Sequence, residues 1–371
     1  MKILHLRSSG GLYGAEQVIL NLARELNALG CVNHVVCVNN ARNPHRELVE
    51  EAKRVGISAS AIDCTGVFDA ATVRHISDII REKSIEVVHC HDYKACIFGL
   101  SAAKGMKVKK IATNHLWTRA DLKLRLYETI EGLAYNWFDR VVAVSKIIEK
   151  ECRPFIFKKE KLTFIANGID LNRFTLDKKE GARSATRAQL GLKNEDIVIG
   201  NMARLSIEKD QANLLRAFKG LTEVFKDRSF RLLIAGDGPE RGNLERLAQE
   251  LGIKERCSFL GVRNDGPQIL NALDIYVQSS AREGLPIVIL EAMASSLPIV
   301  STKAGGIPQV IRHEDTGLLV EIGDAKAFTD AMARLVQDRA LRERIAANAR
   351  RIVETDYAAG VMAKKYLAVY Q

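Results

Sequence analysis

Short apolar runs alternate with longer amphipathic segments along the whole chain, and this alternation limits the folds that the chain can adopt. The amphipathic segments have helical periodicity, as in Ala15–Leu29, Pro44–Val55 and Val73–Lys83. The apolar runs have the length and composition of buried strands: Lys2–Arg7, Asn33–Val38, Glu86–His89, Lys109–Thr113, Arg140–Val144, Leu162–Ile165, Ile197–Gly200, Phe230–Ala235, Cys257–Leu260, Ile275–Gln278, Ile299–Ser301 and Gly317–Val320. Strands that are separated by helices pair in parallel, with helices on both faces of the sheet. The sequence therefore predicts an α/β fold built on parallel sheets.

The chain is long enough for two domains. It has 371 residues, and the stretch Leu171–Asp196 is polar, rich in charge and without a strand pattern. We place the boundary there, which gives a first domain over residues 1–170 and a second over residues 171–356. The closing helix, Tyr357–Tyr370, is amphipathic. Ligands of such domains bind beyond the carboxyl ends of the strands, so we expect a site where two such edges face each other across a cleft.

Two glutamates flank a predicted helix start in the second domain. Glu283 and Glu291 enclose the sequence Gly-Leu-Pro-Ile-Val-Ile-Leu, and Pro286 suits the first turn of a helix because its missing N–H costs nothing there. The free N–H groups of that turn favour an anion, and Glu291 is expected about two turns along the helix. One ligand with a phosphate between two polyols could contact both acids. The alternative is that both are solvated surface acids.

A glycine-rich loop follows the first strand of the first domain, and two cations follow the first strand of the second. Gly10, Gly11 and Gly14 would let the backbone approach a phosphate or sugar closely. Their spacing is not the Gly-x-Gly-x-x-Gly of dinucleotide-binding proteins, and no acid ends the second strand, which disfavours a nicotinamide enzyme. Arg204 and Lys209 could bind one diphosphate, unless they are solvated loop cations.

Taken together, these segments resemble the retaining glycosyltransferases of family 4. Ser279–Ala294 is similar to the double-glutamate motif of that family. Five further motifs occur in the family's order along nearly the whole chain: Ser9–Glu16, Asn167–Asp170, Arg204–Lys209, Gly236–Pro239 and Gly305–Pro308. The resemblance implies the GT-B fold, in which two Rossmann-like domains face each other across a cleft, and it implies that the closing helix crosses back to the first domain.

The resemblance also implies an activity and the residues that perform it. The chain would transfer a sugar from a nucleoside-diphosphate donor, expected to be a UDP-sugar, to a hydroxyl of a saccharide acceptor, with retention at the anomeric carbon. Glu283 and His115 would contact the sugar, Arg204 and Lys209 the leaving diphosphate, and Glu291 the ribose. The other residues implied at the donor are Gly11, Gly14, Val262, Arg263, Gly284, Leu285 and Pro286. The leaving phosphate itself would remove the proton of the acceptor.

Three positions leave the details open. Asp210 stands where the family commonly has Gly, and Gln309 where it commonly has Glu. Trp117, two residues after His115, is either a stacking surface for a sugar or part of the core.

No cofactor and no metal site are predicted. The chain contains no Asp-x-Asp sequence, and its seven cysteines are scattered without a Cys-x-x-Cys pair, which fits reduced thiols. The sequence His89-Cys-His-Asp92 has metal-binding residue types, but neighbouring side chains on a strand point to opposite faces, so joint ligation needs a bend. His91, at the end of its strand, is instead a candidate for a residue that faces the cleft.

The formal net charge of +10 indicates an anionic partner. Residues 104–161 carry ten Lys and four Arg against seven Asp or Glu, with apolar residues interleaved, as in Asp121–Ile130. Such a stretch is either a contact for an anionic membrane surface or a solvated face. Nucleic acid is not expected, since no helix-turn-helix, zinc-finger or RNP pattern occurs.

The location follows from the absence of long apolar runs and from this basic stretch. No run reaches the ~20 apolar residues that span a bilayer, and Met1–Arg7 is too short for a signal peptide. We expect a cytoplasmic protein, which would be peripheral at the inner face of the membrane if the basic stretch contacts that surface. The expected acceptor is a lipid-linked saccharide in the assembly of bacterial envelope polysaccharide or lipopolysaccharide, and the alternative is a soluble small molecule.

Two other functions use the same features. A nucleotide-sugar epimerase would need the same diphosphate pocket and would consume its donor without an acceptor. A non-catalytic binding protein would bind the nucleotide without turnover.

Overall fold

The chain folds into two compact units. The computed structural model describes residues 1–8, 11–66, 69–117, 122–175 and 179–371, without the side chains at 123, 179, 180 and 182. Ser9 and Gly10 of the glycine-rich loop, and Asp121, lie outside the described residues. One unit comprises Met1–Ile169 together with Ala358–Gln371, and the other comprises Asp170–Tyr357.

The first unit is built on a parallel sheet of seven strands. In chain order these are β1 (Lys2–Arg7), β2 (Val32–Asn40), β3 (Ser58–Cys64), β4 (Val87–Cys90), β5 (Lys109–Asn114), β6 (Arg140–Ala143) and β7 (Leu162–Phe164). The order across the sheet is β3-β2-β1-β4-β5-β6-β7. The helices are α1 (Gly14–Ala28), α2 (Glu47–Arg54), α3 (Ala70–Glu82), α4 (Tyr93–Ala102), α5 (Leu122–Ala134), α6 (Lys146–Cys152) and, from the end of the chain, α15 (Ala359–Tyr370).

The second unit repeats this plan with six parallel strands. They are β8 (Ile197–Met202), β9 (Phe230–Ala235), β10 (Cys257–Gly261), β11 (Ile275–Gln278), β12 (Ile299–Thr302) and β13 (Leu318–Val320), in the order β10-β9-β8-β11-β12-β13. The helices are α7 (Lys179–Gln189), α8 (Gln211–Val224), α9 (Arg241–Glu250), α10 (Gly266–Ala272), α11 (Ile287–Ala294), α12 (Ile307–Val310), α13 (Ala325–Gln337) and α14 (Arg339–Asp356). The prediction of an α/β fold with parallel sheets is confirmed.

The strands form because their side chains are buried on both faces. In β1, Ile3, Leu4 and Leu6 are fully buried, as expected for a central parallel strand covered by helices. Strand β3 was not among the predicted strands. Its sequence, Ser-Ala-Ser-Ala-Ile-Asp-Cys, lacks a continuous apolar run because it lies at the edge of the sheet and is only partly buried.

Each sheet has one point at which the direction of strand addition reverses. In the first sheet this switch point lies between β1 and β4, and in the second between β8 and β11. The loops that follow two such strands diverge to opposite sides and leave a crevice at the carboxyl edge, which is where ligands bind in sheets of this kind.

The last helix completes the first unit. Gly168 lies against α15, and a Cβ atom at that position would come within 3.0 Å of the backbone of Ala358 and Ala359. The backbone N–H of Gly168 donates to Sδ of Met362 at 3.1 Å. Gly168 of the Asn167–Asp170 motif therefore allows helix α15 to approach the sheet. Every helix among the described residues is too short or too polar to cross a bilayer.

Candidate functional site

The switch point of the second sheet brings Lys209 and Glu283 together. Lys209 follows β8 and Glu283 follows β11, and Lys209 Nζ lies 2.7 Å from Glu283 Oε2. Only 4% of the Glu283 side chain and 18% of the Lys209 side chain are exposed. The two residues are 74 positions apart in sequence, so this ion pair follows from the topology of the sheet.

A polar network holds the other oxygen of Glu283. Glu283 Oε1 accepts hydrogen bonds from Ser280 Oγ at 2.6 Å and from Gln278 Nε2 at 2.8 Å. Gln278 Oε1 in turn accepts from the hydroxyl of Tyr276 at 2.5 Å. All four side chains are buried. Gln278 and Ser280 were not predicted as site residues, although a glutamine at the carboxyl end of an otherwise apolar strand was a usable signal.

Backbone contacts fix the loop that carries Glu283. The N–H groups of Ala281 and Arg282 both donate to the carbonyl of Glu208, which joins this loop to the one that carries Lys209. Gly305 lies against Glu283 with a left-handed φ of +54°, and a Cβ atom there would fall 1.7 Å from the Glu283 carbonyl oxygen. The Gly305–Pro308 motif therefore provides space for the glutamate loop.

Asp210 shows how the chain accommodates a departure from the family pattern. Its φ and ψ are +45° and +47°, in the left-handed region that glycine adopts freely and that Asp tolerates better than most residues. Its carboxylate also accepts from the backbone N–H of Asn213 at 3.3 Å and caps α8. Asp210 therefore keeps the turn that a glycine would make, and it adds a helix cap.

Arg204 lies in the same loop as Lys209 and is exposed at the surface of the second unit. Two glycines of the Gly236–Pro239 motif pack against its backbone. A Cβ atom on Gly236 would come within 1.9 Å of the Ala203 carbonyl, and one on Gly238 within 2.3 Å of the Leu205 carbonyl. The Gly236–Pro239 motif therefore supports the loop that carries Arg204.

Helix α11 begins one residue after the predicted position. It runs from Ile287, with Pro286 in extended conformation at its N-cap. Gly284 and Leu285, in the preceding turn, are buried. Glu291 lies in the second turn of α11 and is partly exposed. Burial raises the pKa of its carboxyl, and the charge of Arg173 opposes this shift.

Val262 and Arg263 follow β10 in an exposed turn. The Val262 side chain is 65% exposed. The Arg263 guanidinium donates to both oxygens of Asp265, at 2.8 and 2.6 Å, so its side chain already has a partner. The role of Val262 and Arg263 at the donor stays a prediction.

In the first unit, the glycine-rich loop is supported by an ion-pair cluster. Gly11 is buried with a φ of +145°, and Gly14 begins α1. Arg7 Nε donates to Glu16 Oε1 at 2.8 Å, and Glu16 Oε2 accepts from the Tyr13 N–H at 3.1 Å. Across the switch point, Asp92 Oδ2 accepts from the N–H of Ser8 at 2.6 Å.

Four histidines lie next to these groups. His5 on β1 pairs in register with His89 on β4, and His91 and His115 follow β4 and β5. The rings of His89 and His91 are 4.0 Å apart, and those of His91 and His115 are 5.5 Å apart. Burial lowers the pKa of His5 to about 4 and that of His115 to about 3, and it lowers the pKa of His89 and His91 well below 6.5. All four imidazoles are therefore neutral at pH 7.

Nitrogen atoms of His5, His89 and His91 lie within 4.8 Å of one another, which is close enough to share a metal ion. Their ring nitrogens are already hydrogen-bonded, since His89 contacts Thr113 and Tyr370 at 2.7 Å and the other two contact each other at 3.1 Å. A metal would have to displace these bonds. The absence of a metal site stays a prediction.

Trp117 is part of the core. It is 3% exposed, its Nε1 donates to Glu131 Oε2 at 2.8 Å, and its ring stacks on Tyr135. Trp117 was predicted to be either a stacking surface for a sugar or part of the core. Its burial in this conformation excludes the stacking surface. Burial raises the pKa of the Glu131 carboxyl to about 7.

Comparisons with known proteins agree with this geometry. The family model described as Glycosyltransferase Family 4 matches residues 13–173, and the one described as Glycosyl transferases group 1 matches residues 182–352. The chain is 29% identical to the UDP-Gal:alpha-D-GlcNAc-diphosphoundecaprenol alpha-1,3-galactosyltransferase of Escherichia coli, over 74% of this chain and 72% of that protein. It is 26% identical to the lipopolysaccharide core biosynthesis glycosyltransferase LpsD of Rhizobium meliloti, over 100% of this chain and 98% of LpsD.

A solved structure shows the same fold. The structure of Anabaena HepE in complex with UDP-glucose matches with a TM-score of 0.87 and 23% sequence identity, over 100% of this chain and 99% of HepE. The two family models together match most of the residues of both units. The motifs on which the resemblance rests lie within or next to the matched residues. The chain therefore belongs to the group 1 glycosyltransferases of family 4, and it is a glycosyltransferase with the GT-B fold.

Proposed function

We propose that the chain is a retaining glycosyltransferase that uses a UDP-sugar as donor and a lipid-linked saccharide as acceptor. The observation that carries this proposal is the Lys209–Glu283 ion pair at the switch point of the second sheet. It combines a cation for a diphosphate with a carboxylate for sugar hydroxyls, in a loop pair that buried hydrogen bonds hold in place.

The proposed roles follow from hydrogen-bonding capacity. Lys209 has three N–H donors and uses one on Glu283, so two remain for diphosphate oxygens. Arg204 is exposed beside it and supplies a planar fork of donors. Glu283 Oε2 has a second lone pair for a sugar hydroxyl. Glu291, whose raised pKa reflects its burial, would accept from the ribose hydroxyls when ionised.

In the reaction, the bond between the anomeric carbon and the diphosphate oxygen breaks, and a bond to the acceptor oxygen forms on the same face of the sugar. The acceptor proton passes to an oxygen of the leaving diphosphate. Arg204 and Lys209 stabilise the charge that develops there, and such preorganised cations commonly provide the largest single contribution to catalysis. The proposal requires no divalent metal.

The relatives support the substrate classes. The Escherichia coli relative is named for a UDP-galactose donor and a diphosphoundecaprenol-linked acceptor, and LpsD is named for lipopolysaccharide core biosynthesis. HepE has been solved with UDP-glucose. We therefore propose the same chemical classes for this chain, with a role in bacterial envelope polysaccharide or lipopolysaccharide assembly.

Donor binding can be tested by thermal shift with a panel of UDP-, GDP- and ADP-sugars. A donor present at 100 times its Kd adds about 2.7 kcal/mol to the free energy of unfolding, so the matching donor is expected to raise the melting temperature clearly. Arg204→Ala is expected to weaken binding of the free nucleoside diphosphate ~10- to 100-fold, because charge-assisted hydrogen bonds are lost. Arg339→Ala, an exposed arginine on α14, is the matched control.

Product analysis separates the proposal from its rivals. The donor should be consumed when a saccharide acceptor is present, with the donor's anomeric configuration kept in the product. Conversion of the donor to an epimer without acceptor would contradict the proposal, and so would tight nucleotide binding without turnover for any acceptor class. An inverted anomeric centre would disprove the retaining mechanism.

We also propose that the first unit contacts an anionic membrane surface through α5 and the turn after it. Exposed apolar side chains recur along one face at helical spacing, and Phe157 lies beside them because its N–H donates to Asn136 Oδ1 at 2.9 Å. These exposed apolar residues are Leu122, Leu126, Ile130, Leu133, Trp137 and Phe157. We call them the apolar stripe. Such a stripe would bury its apolar area at the headgroup boundary of a bilayer.

Basic residues lie next to the apolar stripe. An open cavity of about 580 Å³ at the amino ends of β5 and β6 is lined by five cations and two acids. The cations are Lys107, Lys109, Arg140, Lys158 and Lys161. This cavity is on the opposite edge of the sheet from the glycine-rich loop, so we assign it to anionic headgroups and not to the donor. Each Lys or Arg near an anionic surface contributes about 1 kcal/mol.

Vesicle sedimentation tests this contact. We expect binding to vesicles that contain phosphatidylglycerol, weaker binding at high salt, and little binding to pure phosphatidylcholine. The double variant Trp137→Ser, Phe157→Ser should lower the bound fraction severalfold. Val224→Ser, an equally exposed apolar residue in the second unit, should not. If both variants bind like the wild type, the apolar stripe does not contact the membrane.

A further inference from the structure

Four buried or partly buried side chains in the first unit form a continuous line of hydrogen bonds. Asn33 Oδ1 lies 3.0 Å from His5 Nε2, and His5 Nδ1 lies 3.1 Å from His91 Nε2. His91 Nδ1 then lies 3.2 Å from His115 Nε2. The line crosses from β2 through β1 to the ends of β4 and β5, and each histidine uses one nitrogen toward each neighbour.

Only one orientation of the Asn33 side-chain amide satisfies all of its hydrogen-bond partners. Asn33 Nδ2 lies 3.1 Å from the Ala23 carbonyl oxygen and 2.7 Å from Asn27 Oδ1. A carbonyl oxygen can only accept, so the NH₂ group must face Ala23 and the amide oxygen must face His5. Asn33 Oδ1 is therefore an acceptor toward His5.

This acceptor determines which ring nitrogen of each histidine in the line carries the proton. His5 must carry its proton on Nε2 in order to donate to Asn33. A neutral imidazole has one N–H, so His5 Nδ1 is an acceptor, and His91 must donate to it from Nε2. By the same step, His91 Nδ1 accepts, and His115 must donate from Nε2. His115 Nδ1 is then left as a bare lone pair.

The reasoning requires neutral rings, and the surroundings keep them neutral. His5 and His91 are almost fully buried, and neighbouring histidines and the Arg7 cation oppose a further positive charge on His91. Burial and Arg7 act in the same way on His115. A protonated ring anywhere in the line would reverse the donors beyond it and place a proton on His115 Nδ1, so the assignment holds for neutral rings.

The last atom of the line has no partner in the described part of the chain. His115 Nδ1 is enclosed by protein atoms and makes no hydrogen bond to any described residue. A buried lone pair without a donor costs free energy, so this atom favours a ligand that brings an O–H or N–H group and repels one that brings an oxyanion.

We propose that Asn33, His5 and His91 are positioning residues that hold His115 in the Nε2–H tautomer, so that Nδ1 accepts a hydrogen bond from a hydroxyl of the donor sugar. This inference rests on the proposed function, which supplies the sugar. It adds that the selectivity of His115 for a hydroxyl donor is set by Asn33, three side chains away along the line.

Nitrogen-15 NMR of the ligand-free protein, labelled at its eight histidines, measures the tautomers directly. Single-histidine variants assign the signals. We expect His5, His91 and His115 to show a protonated Nε2 and an unprotonated Nδ1 at pH 7.5. An Nδ1–H tautomer or an imidazolium at His115 overturns the proposal, whether or not any variant folds.

Variants of His91 test whether this residue passes the tautomer preference from Asn33 and His5 to His115. Leu removes both hydrogen bonds, whereas Gln keeps one donor and one acceptor on the side chain. We expect His91→Leu to give a mixture of tautomers at His115 and to raise the KM for the donor roughly tenfold, with a smaller change in kcat. His91→Gln should restore most of the wild-type tautomer signal and KM.

His34→Leu is the matched control. His34 is a buried histidine on β2 that bonds to the hydroxyls of Ser58 and Ser60, away from the line. It should leave the His115 signals and the KM unchanged. If His91→Leu shifts neither the tautomer nor the KM, His91 does not position His115. If the tautomers are as expected but no donor sugar turns over, the proposed function fails and the hydroxyl contact fails with it, while the tautomer line stands.

Discussion

Lys209→Ala is expected to lower kcat by at least about 100-fold, the size of effect seen when one preorganised charge-stabilising group is removed from an active site. The substitution removes the cation that would meet the leaving diphosphate. It also leaves Glu283, whose side chain is 4% exposed, without its opposite charge. An uncompensated buried carboxylate costs about 3 kcal/mol, so the melting temperature should fall as well. Steady-state kinetics and thermal unfolding measure the two effects separately.

A double-variant cycle distinguishes lost chemistry from lost stability. Glu283→Gln replaces the carboxylate with a neutral amide that needs no cation. Lys209→Ala should therefore cost less stability in the Glu283→Gln background than in the wild type, while activity stays low in all three variants. The exposed pair Lys326–Asp330 provides a control, and Lys326→Ala should change neither quantity. Activity of Lys209→Ala within threefold of the wild type would contradict the assigned role.

Gly305→Ala is expected to disable the second unit's site with a single methyl group. The new Cβ atom would lie 1.7 Å from the Glu283 carbonyl oxygen, a distance that no pair of non-bonded atoms tolerates. The neighbour is backbone, so no side chain can rotate away, and the glutamate loop must move. We expect loss of detectable turnover and a drop of several degrees in the melting temperature, measured by product formation and thermal unfolding.

Gly191→Ala separates the clash from the cost of the backbone conformation. Gly191 has a similar φ of +66°, but a Cβ atom there would meet nothing within 4 Å. An alanine in this left-handed conformation costs about 1 kcal/mol through the backbone alone. The Gly191→Ala variant should therefore have a slightly lower melting temperature than the wild type and should keep its activity. Equal loss of activity in both variants would show that the close approach at Gly305 is not the cause.

The sheets were predictable because parallel strands covered on both faces must be apolar throughout. Phe230–Ala235 and Ile275–Gln278 were predicted with their observed limits for this reason. Strand β3 was missed because an edge strand needs apolar residues on one face only, and its Ser-Ala-Ser-Ala sequence resembles a loop. Helix α11 begins at Ile287 and not at Pro286, a difference of one residue that lies within ordinary uncertainty of helix ends.

The site was predictable only in its charged members. Lys209 and Glu283 were named from their motifs, and the structure brings them together. Their partners, Gln278 and Ser280, were assigned no role, although the position of Gln278 at the carboxyl end of an apolar strand was a signal for it. Asn33 was missed for a different reason. Its relation to His115 depends on the pairing of separate strands, which no local pattern encodes.

The tyrosines of α15 have a consequence for how the protein is made. Tyr370 bonds to His89 from 281 positions away, and Tyr366 bonds to Thr113 from 253 positions away. The ribosome therefore synthesises the whole second unit before α15 can pack against His89 and Thr113 of the first unit. In a product truncated before Tyr366, His89 and Thr113 would lack these two hydrogen-bond partners.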